Sequence, residues 1–246
     1  KEQAAVKRKK FLKNKMAVVG LIITIIAILI GILAPLIANH DPLEMDPINR
    51  LKGPSGEFFF GTDKLGRDLF SRVVYGTRYA MLIGVSVTAI TAVLGLIIGL
   101  YASYYKVLDS ILMRICDGLK AIPTTLLALA LMAALGASLK NVFISLVIVY
   151  TPSIARLARS QALLIKEQTY IEAMKALGAK PSRIIWRHIA PNILSPVIVQ
   201  ASFIFASTIV TEAALSFLGA GVPVPQPSWG NILYDGKEVI FNAPWM

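Results

Sequence analysis

Apolar stretches recur along this chain, most of them close to the about 20 residues that a helix needs to cross a lipid bilayer. The first, residues 16–38, contains no charged side chain and directly follows a basic tail. Hydrophobic residues make up 56% of the chain and charged residues only 16%, below the about 25% of soluble domains. These features predict an all-α fold, a polytopic membrane helix bundle.

Five membrane spans are expected, at residues 16–38, about 80–101, 121–135, about 142–155 and 193–218. Residues 107–120 are amphipathic, with charges recurring every third residue at Arg114, Asp117 and Lys120, so we expect them to form a base of the third span that protrudes into the cytoplasm. A charged lining of a transport path is the alternative. Pro152 should kink the fourth span. A cleaved signal peptide is the alternative for residues 16–38, although its apolar region is normally about 7–15 residues.

Basic residues predict the orientation of the spans, because loops left in the cytoplasm collect Lys and Arg. Seven of the 25 precede the first span and seven lie between the fourth and fifth, whereas the six between the first two spans are matched by six acidic residues. We therefore expect this chain to span the inner membrane of the cell, with its amino terminus in the cytoplasm. The net charge of +11 does not indicate nucleic-acid binding, since the basic residues are not interleaved with aromatic ones.

The expected organisation places two cytoplasmic segments and two extracytoplasmic segments around the spans. It comprises a tail at 1–15, a span at 16–38, an outer loop at 39–79, a core at 80–218 with a cytoplasmic loop at 160–191, and an outer segment at 219–246. Related chains would continue into a sixth span, so the missing initial methionine and the end at Met246 lead us to expect a fragment or trimmed chain.

Residues suited to metal binding or catalysis are sparse and scattered. Cys116 is the single cysteine, and His40 and His188 lie far apart without a ligand at metal-binding spacing. Asp63 and Asp68 lack the pattern of a calcium-binding loop. The sequence therefore predicts no metal site and no catalytic site.

Residues 167–178 are the most informative segment of the chain. Thr169 and Glu172 have the spacing of a capping box, which starts a helix. Gly178 supplies the left-handed residue that ends one. The prediction is a helix of about two turns that protrudes on the cytoplasmic side, where a soluble partner protein can bind it.

A second short helix is expected at about 182–189, before Pro191 and Pro196 control entry to the fifth span. Both short helices are expected to lie at right angles to the spans. Within the second span, Gly95 and Gly99 form a G-x-x-x-G step that allows a neighbouring helix to approach closely.

Here the chain resembles the membrane subunits of bacterial ATP-binding-cassette importers, whose hallmark is a cytoplasmic Glu-Ala-Ala, then glycine, then an Ile-x-Leu-Pro type ending. This sequence reads Glu172-Ala173-Met174, then Gly178, then Ile189-Ala190-Pro191, so the third position departs from alanine. It is more specifically similar to the second permease of dipeptide, oligopeptide and nickel importers. That similarity rests on Gly61-Thr-Asp-Lys-Leu-Gly-Arg-Asp68 with Ser71-Arg72, and on Thr211-Glu-Ala-Ala-Leu-Ser-Phe-Leu-Gly219.

The resemblance implies the transmembrane fold of type I importers (MetI-like) and an assembly of several subunits in the membrane. The partners would be a homologous permease, two ATPase subunits and an extracytoplasmic solute-binding protein. ATP and Mg²⁺ would be bound by the ATPase subunits, so this chain is expected to need no cofactor and to be no enzyme. The resemblance assigns ATPase coupling to Glu172, Ala173, Met174, Ala176, Leu177, Gly178 and Arg183.

Two further sets of residues are candidates for the solute path and for the outer mouth. Glu212 is the acidic residue within the fifth span, where a charge costs about 2.5–3.5 kcal/mol at mid-bilayer. A polar stripe facing a water-filled path is one interpretation, and hydrogen bonding between helices is the other. The path candidates are Gln200, Ser207, Thr211 and Glu212. The candidates for docking a solute-binding protein are Thr62, Asp63, Gly66, Arg67 and Asp68, of which Asp68 is also expected to cap the helix leading into the second span.

The expected solute is a dipeptide or oligopeptide, and nickel is the alternative within the same family. A secondary transporter is a further alternative, but such proteins usually carry several buried ionisable residues, and Glu212 alone is too little. A membrane-embedded enzyme should show a nucleophile with a base or a metal cluster, and the sequence shows neither.

Overall fold

The computed structural model describes residues 13–246, and over that range the chain is built from helices and connecting loops. An isolated bridge between Thr62 and Asp68 is the one strand-like pairing among these residues. The predicted all-α fold is confirmed. The helices are α1 (Lys15–Ile37), α2 (Leu69–Tyr104), α3 (Lys106–Lys120), α4 (Thr124–Leu135), α5 (Leu139–Lys166), α6 (Thr169–Ala176), α7 (Ala190–Phe217) and α8 (Trp229–Val239).

The chain divides into two compact units, one made of the residues up to 81 with 224–246, and the other of residues 82–223. Within the described residues, four helices are long and apolar enough to cross a bilayer: α1, α2, α5, and α7 with the helical residues that lead into it. The bent pair of α3 and α4 would make a fifth span. Of the predicted tail at 1–15, residues 13–15 are described, and the rest of the tail lies outside the described residues.

Helix α1 agrees with the expected span at 16–38. Its amino end is capped by Asn14, whose side chain accepts a hydrogen bond from the backbone N–H of Ala17 at 3.2 Å. Most of its large apolar side chains are exposed, as expected for a helix surrounded by lipid.

Helix α2 begins at Leu69, well before the start expected near Ala80. The expected cap is confirmed, because Asp68 Oδ2 accepts from the backbone N–H of Ser71 at 2.8 Å. The early start places Arg72 inside a helix, where its guanidinium donates to the carbonyl oxygen of Pro42 at 3.0 Å. This contact between distant segments allows a charged residue to be buried there, which the apolar pattern could not indicate.

The third span and its expected base are two helices, α3 and α4, which meet at an angle of 94°. Pro123 is the residue that precedes α4, and Ala121 ends α3. Proline disfavours a helical conformation in the residue before it and lacks the N–H that a continuing helix needs. The amphipathic α3 is thus separated from α4 by a sharp bend that the sequence analysis did not predict.

Helix α5 contains Pro152 and continues past Ala155, the expected end of the fourth span, through Arg156 and Arg159 to Lys166. The expected separate helix at 182–189 is wrong. Pro181–Arg183 form a helical turn, Ile184–Ile189 a π-helical segment, and this segment runs directly into α7. Ala190 donates its N–H to Ile185 O, one residue further back than in an α-helix. Pro191 is the second residue of α7, shortly after the π-helical segment; because it has no N–H, it cannot donate the next bond of the helix.

The core of the second unit is organised around α5, which contacts α3, α4 and α7. On α2, Gly95 and Gly99 lie against α5, and a Cβ placed on Gly99 would lie 2.5 Å from the carbonyl oxygen of Ala155. The predicted close approach of a second helix at the G-x-x-x-G step is therefore confirmed. Ala155 and Ala158 on α5 are fully buried, so small residues line both sides of the crossing.

Candidate functional site

The short helix α6 ends as the sequence predicted. Gly178 has φ of +75°. The N–H of Ala179 donates to Met174 O and the N–H of Gly178 to Lys175 O, both at 3.0 Å. These two bonds define a Schellman motif, which ends a helix sharply.

The predicted capping box at the start of α6 is wrong. Thr169 is the first helical residue, and the capping position belongs to Gln168, whose side chain makes no capping bond. Glu172 is therefore exposed in the first turn, where a carboxylate is favoured by the positive end of the helix dipole.

One face of α6 packs against the core of the second unit, and the other face is exposed. Ile171 is fully buried, and Met174 packs against the hydrophobic core of the second unit. Leu177 is 86% exposed, so its side chain is accessible to a partner protein. The remaining coupling candidates are also exposed: Glu172, Ala173, Ala176, Gly178 and Arg183.

The elements on both sides of α6 are tied to it and to the end of α2. Helix α6 contacts α5 and the π-helical segment before α7. Lys166, at the end of α5, donates to the carbonyl oxygen of Ser103 at 2.8 Å. Trp186 of the π-helical segment donates its indole N–H to the hydroxyl of Tyr101 at 3.5 Å. The end of α2, the end of α5 and the helical segment that leads into α7 are thus linked around α6.

Two ion pairs join α3 to α5, and the sequence analysis did not predict them. The guanidinium of Arg159 binds the carboxylate of Asp109 through two hydrogen bonds, one of them 2.6 Å from Nη2 to Oδ2. Arg156 Nη2 lies 3.0 Å from Asp117 Oδ1. The signal available in the sequence was the acidic spacing on α3, but its partners lie on another helix.

The five outer-loop candidates form a largely buried cluster. Thr62, Asp63, Arg67 and Asp68 are at most 3% exposed. Arg67 Nε lies 2.6 Å from Asp63 Oδ2, and its Nη2 lies 3.1 Å from Asp235 Oδ2 on α8. Gly66 has φ of +78°, and a Cβ there would overlap the carbonyl oxygen of Asp46.

Helix α8 completes this cluster and was missed by the sequence analysis, which treated residues 219–246 as an outer segment. Lys64 Nζ lies 2.9 Å from Asp235 Oδ1 and 2.7 Å from Glu238 Oε2. Partial burial opposes protonation of Lys64, but the hydrogen bonds to Glu238 and Asp235 prevail and raise its pKa above the ordinary value. The hydrogen bond from Lys64 also lowers the pKa of Glu238.

The candidate path residues on α7 occupy different environments. Glu212 and Thr211 are buried, and Thr211 Oγ1 is 2.8 Å from the hydroxyl of Tyr150 on α5. Ser216 donates its hydroxyl to Glu212 Oε1 at 2.7 Å. Ser207 is exposed and Gln200 is half-buried. The structure therefore places two of the four within helix packing and two toward the surface of the unit.

The part of the chain that the structure describes holds no group of three or more His, Cys, Asp and Glu side chains placed to bind a metal ion. Cys116 is buried on α3.

The known proteins that are similar to this chain all indicate the same kind of protein. Residues 91–237 match the family described as binding-protein-dependent transport system inner membrane component. Residues 5–54 match the N-terminal TM domain of oligopeptide transport permease C. The dipeptide transport system permease protein DppC of Alkalihalophilus pseudofirmus is 46% identical over 238 residues, which cover 96% of this chain and 78% of the relative.

Two further relatives show similar coverage. The oligopeptide transport system permease protein OppC of Bacillus subtilis is 39% identical over 237 residues, 96% of this chain and 78% of the relative. The probable D,D-dipeptide transport system permease protein DdpC of Escherichia coli is 39% identical over 233 residues, 94% of this chain and 78% of the relative.

The fold and the site together define a multi-pass helical membrane protein with a short, sharply ended helix between two long ones. The chain belongs to the family of inner membrane components of binding-protein-dependent transport systems. The resemblance that rested on Glu172, Gly178 and the two flanking motifs is thereby confirmed.

Proposed function

We propose that this chain is the permease subunit of an ATP-driven importer of dipeptides or oligopeptides and forms half of the translocation path. The similar proteins named for dipeptide and oligopeptide transport support peptides as the solute and do not favour nickel. The partners are a homologous permease, two cytoplasmic ATPase subunits and an extracytoplasmic solute-binding protein. The chain itself is not catalytic, and ATP with Mg²⁺ is bound by the ATPase subunits.

The observation that best supports this proposal is that α6 is buried on one side and exposed on the other. Its buried side, with Ile171, fixes it to the bundle, while Leu177 and Glu172 are left open for a partner. ATP binds differently to the open and closed states of an ATPase pair, which is the condition for a ligand to shift an equilibrium. A rigid helix held by both α5 and the start of α7 converts that closure into movement of the spans.

The orientation follows from the same assignment. Helix α6 and the basic residues around it lie in the cytoplasm, with the amino terminus on the same side. The outer loop and α8 then face the solute-binding protein. There Thr62, Asp63, Gly66, Arg67 and Asp68 act mainly by holding the loop in shape, because their side chains are buried. On α7, Ser207 and Gln200 face the path, and Thr211 and Glu212 support it from within the helix packing.

The function is tested by reconstituting the complete transporter in vesicles and measuring uptake of labelled peptides and of nickel, with and without ATP. We expect ATP-dependent uptake of peptides that requires the solute-binding protein, and no ATP-dependent uptake of nickel. Uptake of nickel in place of peptide, or peptide uptake driven by an ion gradient without ATP, would contradict the proposal.

Replacing Leu177 with serine is expected to lower peptide uptake and transport-coupled ATP hydrolysis by about tenfold or more, as for an apolar anchor at the centre of an interface. Leu177 has few contacts within its own chain to lose, because it is 86% exposed. Folding and membrane insertion should therefore be unchanged. Both rates are measured in the reconstituted complex.

A matched control is Phe241→Ser, which removes an apolar side chain that is 98% exposed and lies far from α6 along the chain. We expect this variant to hydrolyse ATP at the native rate. Native coupling in Leu177→Ser would show that α6 is not the contact with the ATPase.

A further inference from the structure

The outer loop contains an acidic hollow that the proposed function does not explain. It is a cavity of about 170 Å³. Four carboxylate residues, Asp41, Glu44, Asp46 and Glu57, line it, and Asp68 lines it as well. Of the described residues around this cavity, none is Lys or Arg.

Three basic residues of the same unit are committed to carboxylates elsewhere, and Lys52 donates its ammonium group to Asn49 at the edge of the hollow. Lys64, Arg67 and Arg72 form ion pairs with Asp63, Asp235 and Glu238. Among residues 13–246, no ion pair involves Glu44 or Glu57. A loop that is neutral by composition thus concentrates negative charge in one place, and concave low-dielectric walls focus such a field.

Buried groups at the floor of the hollow provide a second, independent observation. Asp68 is only 3% exposed, and its Oδ2 accepts from the N–H and the hydroxyl of Ser71 at 2.8 and 2.6 Å. Its Oδ1 is buried and has no hydrogen-bond donor among the described residues, and His40, which also lines the hollow, lies 3.9 Å from Oδ2 through its Nδ1. A buried acceptor without a donor is uncommon in native proteins and costs free energy. A cationic group that entered the hollow would supply donors and charge together.

The size and chemistry of the hollow restrict what can enter it. Its volume is well below the about 300–1,000 Å³ of pockets that enclose whole small molecules, so it suits the end of a side chain. The described residues include no cluster arranged to bind a metal ion. Asp41, Glu44 and Glu57 are exposed at the rim, where the surface of another protein can reach them.

We infer that the acidic hollow receives the cationic end of a lysine or arginine side chain from the extracytoplasmic solute-binding protein, an inference that rests on the proposed function. The rim carboxylates attract the docking protein, and the buried Asp68 binds the ammonium or guanidinium. Complementary charge of this kind speeds association and fixes the register of docking.

The test measures binding of the solute-binding protein to the complete transporter in lipid nanodiscs, at low and at physiological salt. The variant Glu44→Gln with Glu57→Gln should fold normally, because neither side chain has an ion-pair partner within residues 13–246. We expect its affinity to fall about tenfold at low salt and its salt dependence to become weaker. The control Glu238→Gln removes one charge from the same unit outside the hollow, and we expect less than about a twofold change for such an exposed pair.

The outcomes separate this inference from the proposed function. Native affinity and native salt dependence in the double variant would overturn the inference alone. Native binding together with slower uptake of lysine-containing peptides would assign the hollow to the solute and also overturn it. If the native transporter bound no solute-binding protein at all, the proposed function itself would fail, and the inference with it.

Discussion

Replacing Gly99 with alanine is expected to lower the yield of folded, transport-competent protein by about tenfold or more, at the upper end of the effects of overpacking. The added Cβ would lie 2.5 Å from the carbonyl oxygen of Ala155, 2.6 Å from the Cβ of Ala158 and 2.8 Å from the backbone N of Arg159. Two of these three atoms belong to the backbone, so no side chain can rotate to make room. Helices α2 and α5 must then separate, and packing between close backbones is what drives helix association in lipid.

The measurement is the amount of monodisperse protein recovered in detergent, followed by peptide uptake in vesicles. Gly20→Ala is a matched control, because Gly20 also lies inside a membrane-length helix but has no atom within 4 Å of an added Cβ. We expect the control to be recovered and to transport as the native protein does. Native recovery and uptake of Gly99→Ala would show that α2 and α5 do not cross at this glycine.

Replacing Arg67 with methionine is expected to destabilise the first unit by about 3–5 kcal/mol, the usual cost of removing one member of a buried ion pair. Arg67 is fully buried and binds both Asp63 and Asp235, at 2.6 and 3.1 Å. Without it, Asp63 keeps its backbone hydrogen bonds, but its remaining ion-pair partner among residues 13–246 is the more distant Arg72, at 3.5 Å. For a chain of this length, each kcal/mol corresponds to about 2–4 °C in the unfolding midpoint, so we expect a decrease of about 10 °C.

The midpoint is measured at one fixed scan rate on the purified protein, because membrane proteins often unfold irreversibly. Lys64→Met is the matched control, since Lys64 belongs to the same cluster but is partly exposed, and exposed ion pairs contribute only about 0–1 kcal/mol. A decrease for Arg67→Met no larger than that for Lys64→Met would contradict the assignment of Arg67 as the buried centre of the cluster.

The spans of α1 and α7 and the end of α6 could be predicted because each depends on neighbouring residues. Residues 16–38 are apolar over the length of a bilayer wherever they are placed, and α1 covers Lys15–Ile37. Gly178 ends α6 because glycine adopts a positive φ at little cost, which is again a local property. The G-x-x-x-G step indicated a close crossing, although the sequence did not identify α5 as the partner.

The features that the sequence analysis missed depend on residues far apart in the chain. Arg72 near the start of α2 binds Pro42 O, and Arg159 on α5 binds Asp109 on α3. The 94° break between α3 and α4 was not expected either, although Pro123 marks its position. In each case, apolar periodicity along the chain contained no information on the partner.

The functional residues of α6 and of the outer loop also differ in whether they could be predicted from the sequence or only from the tertiary structure. The sequence by itself determined the membrane class, the family and the short helix with Glu172 and Gly178, because these depend on composition, motif spacing and local backbone preference. Only the tertiary structure decided which charges are neutralised. Arg67 binds Asp235, 168 positions away, while Glu44 and Glu57 remain around a hollow. Charges interact through space, so a loop with equal numbers of acids and bases can still present a strongly acidic surface.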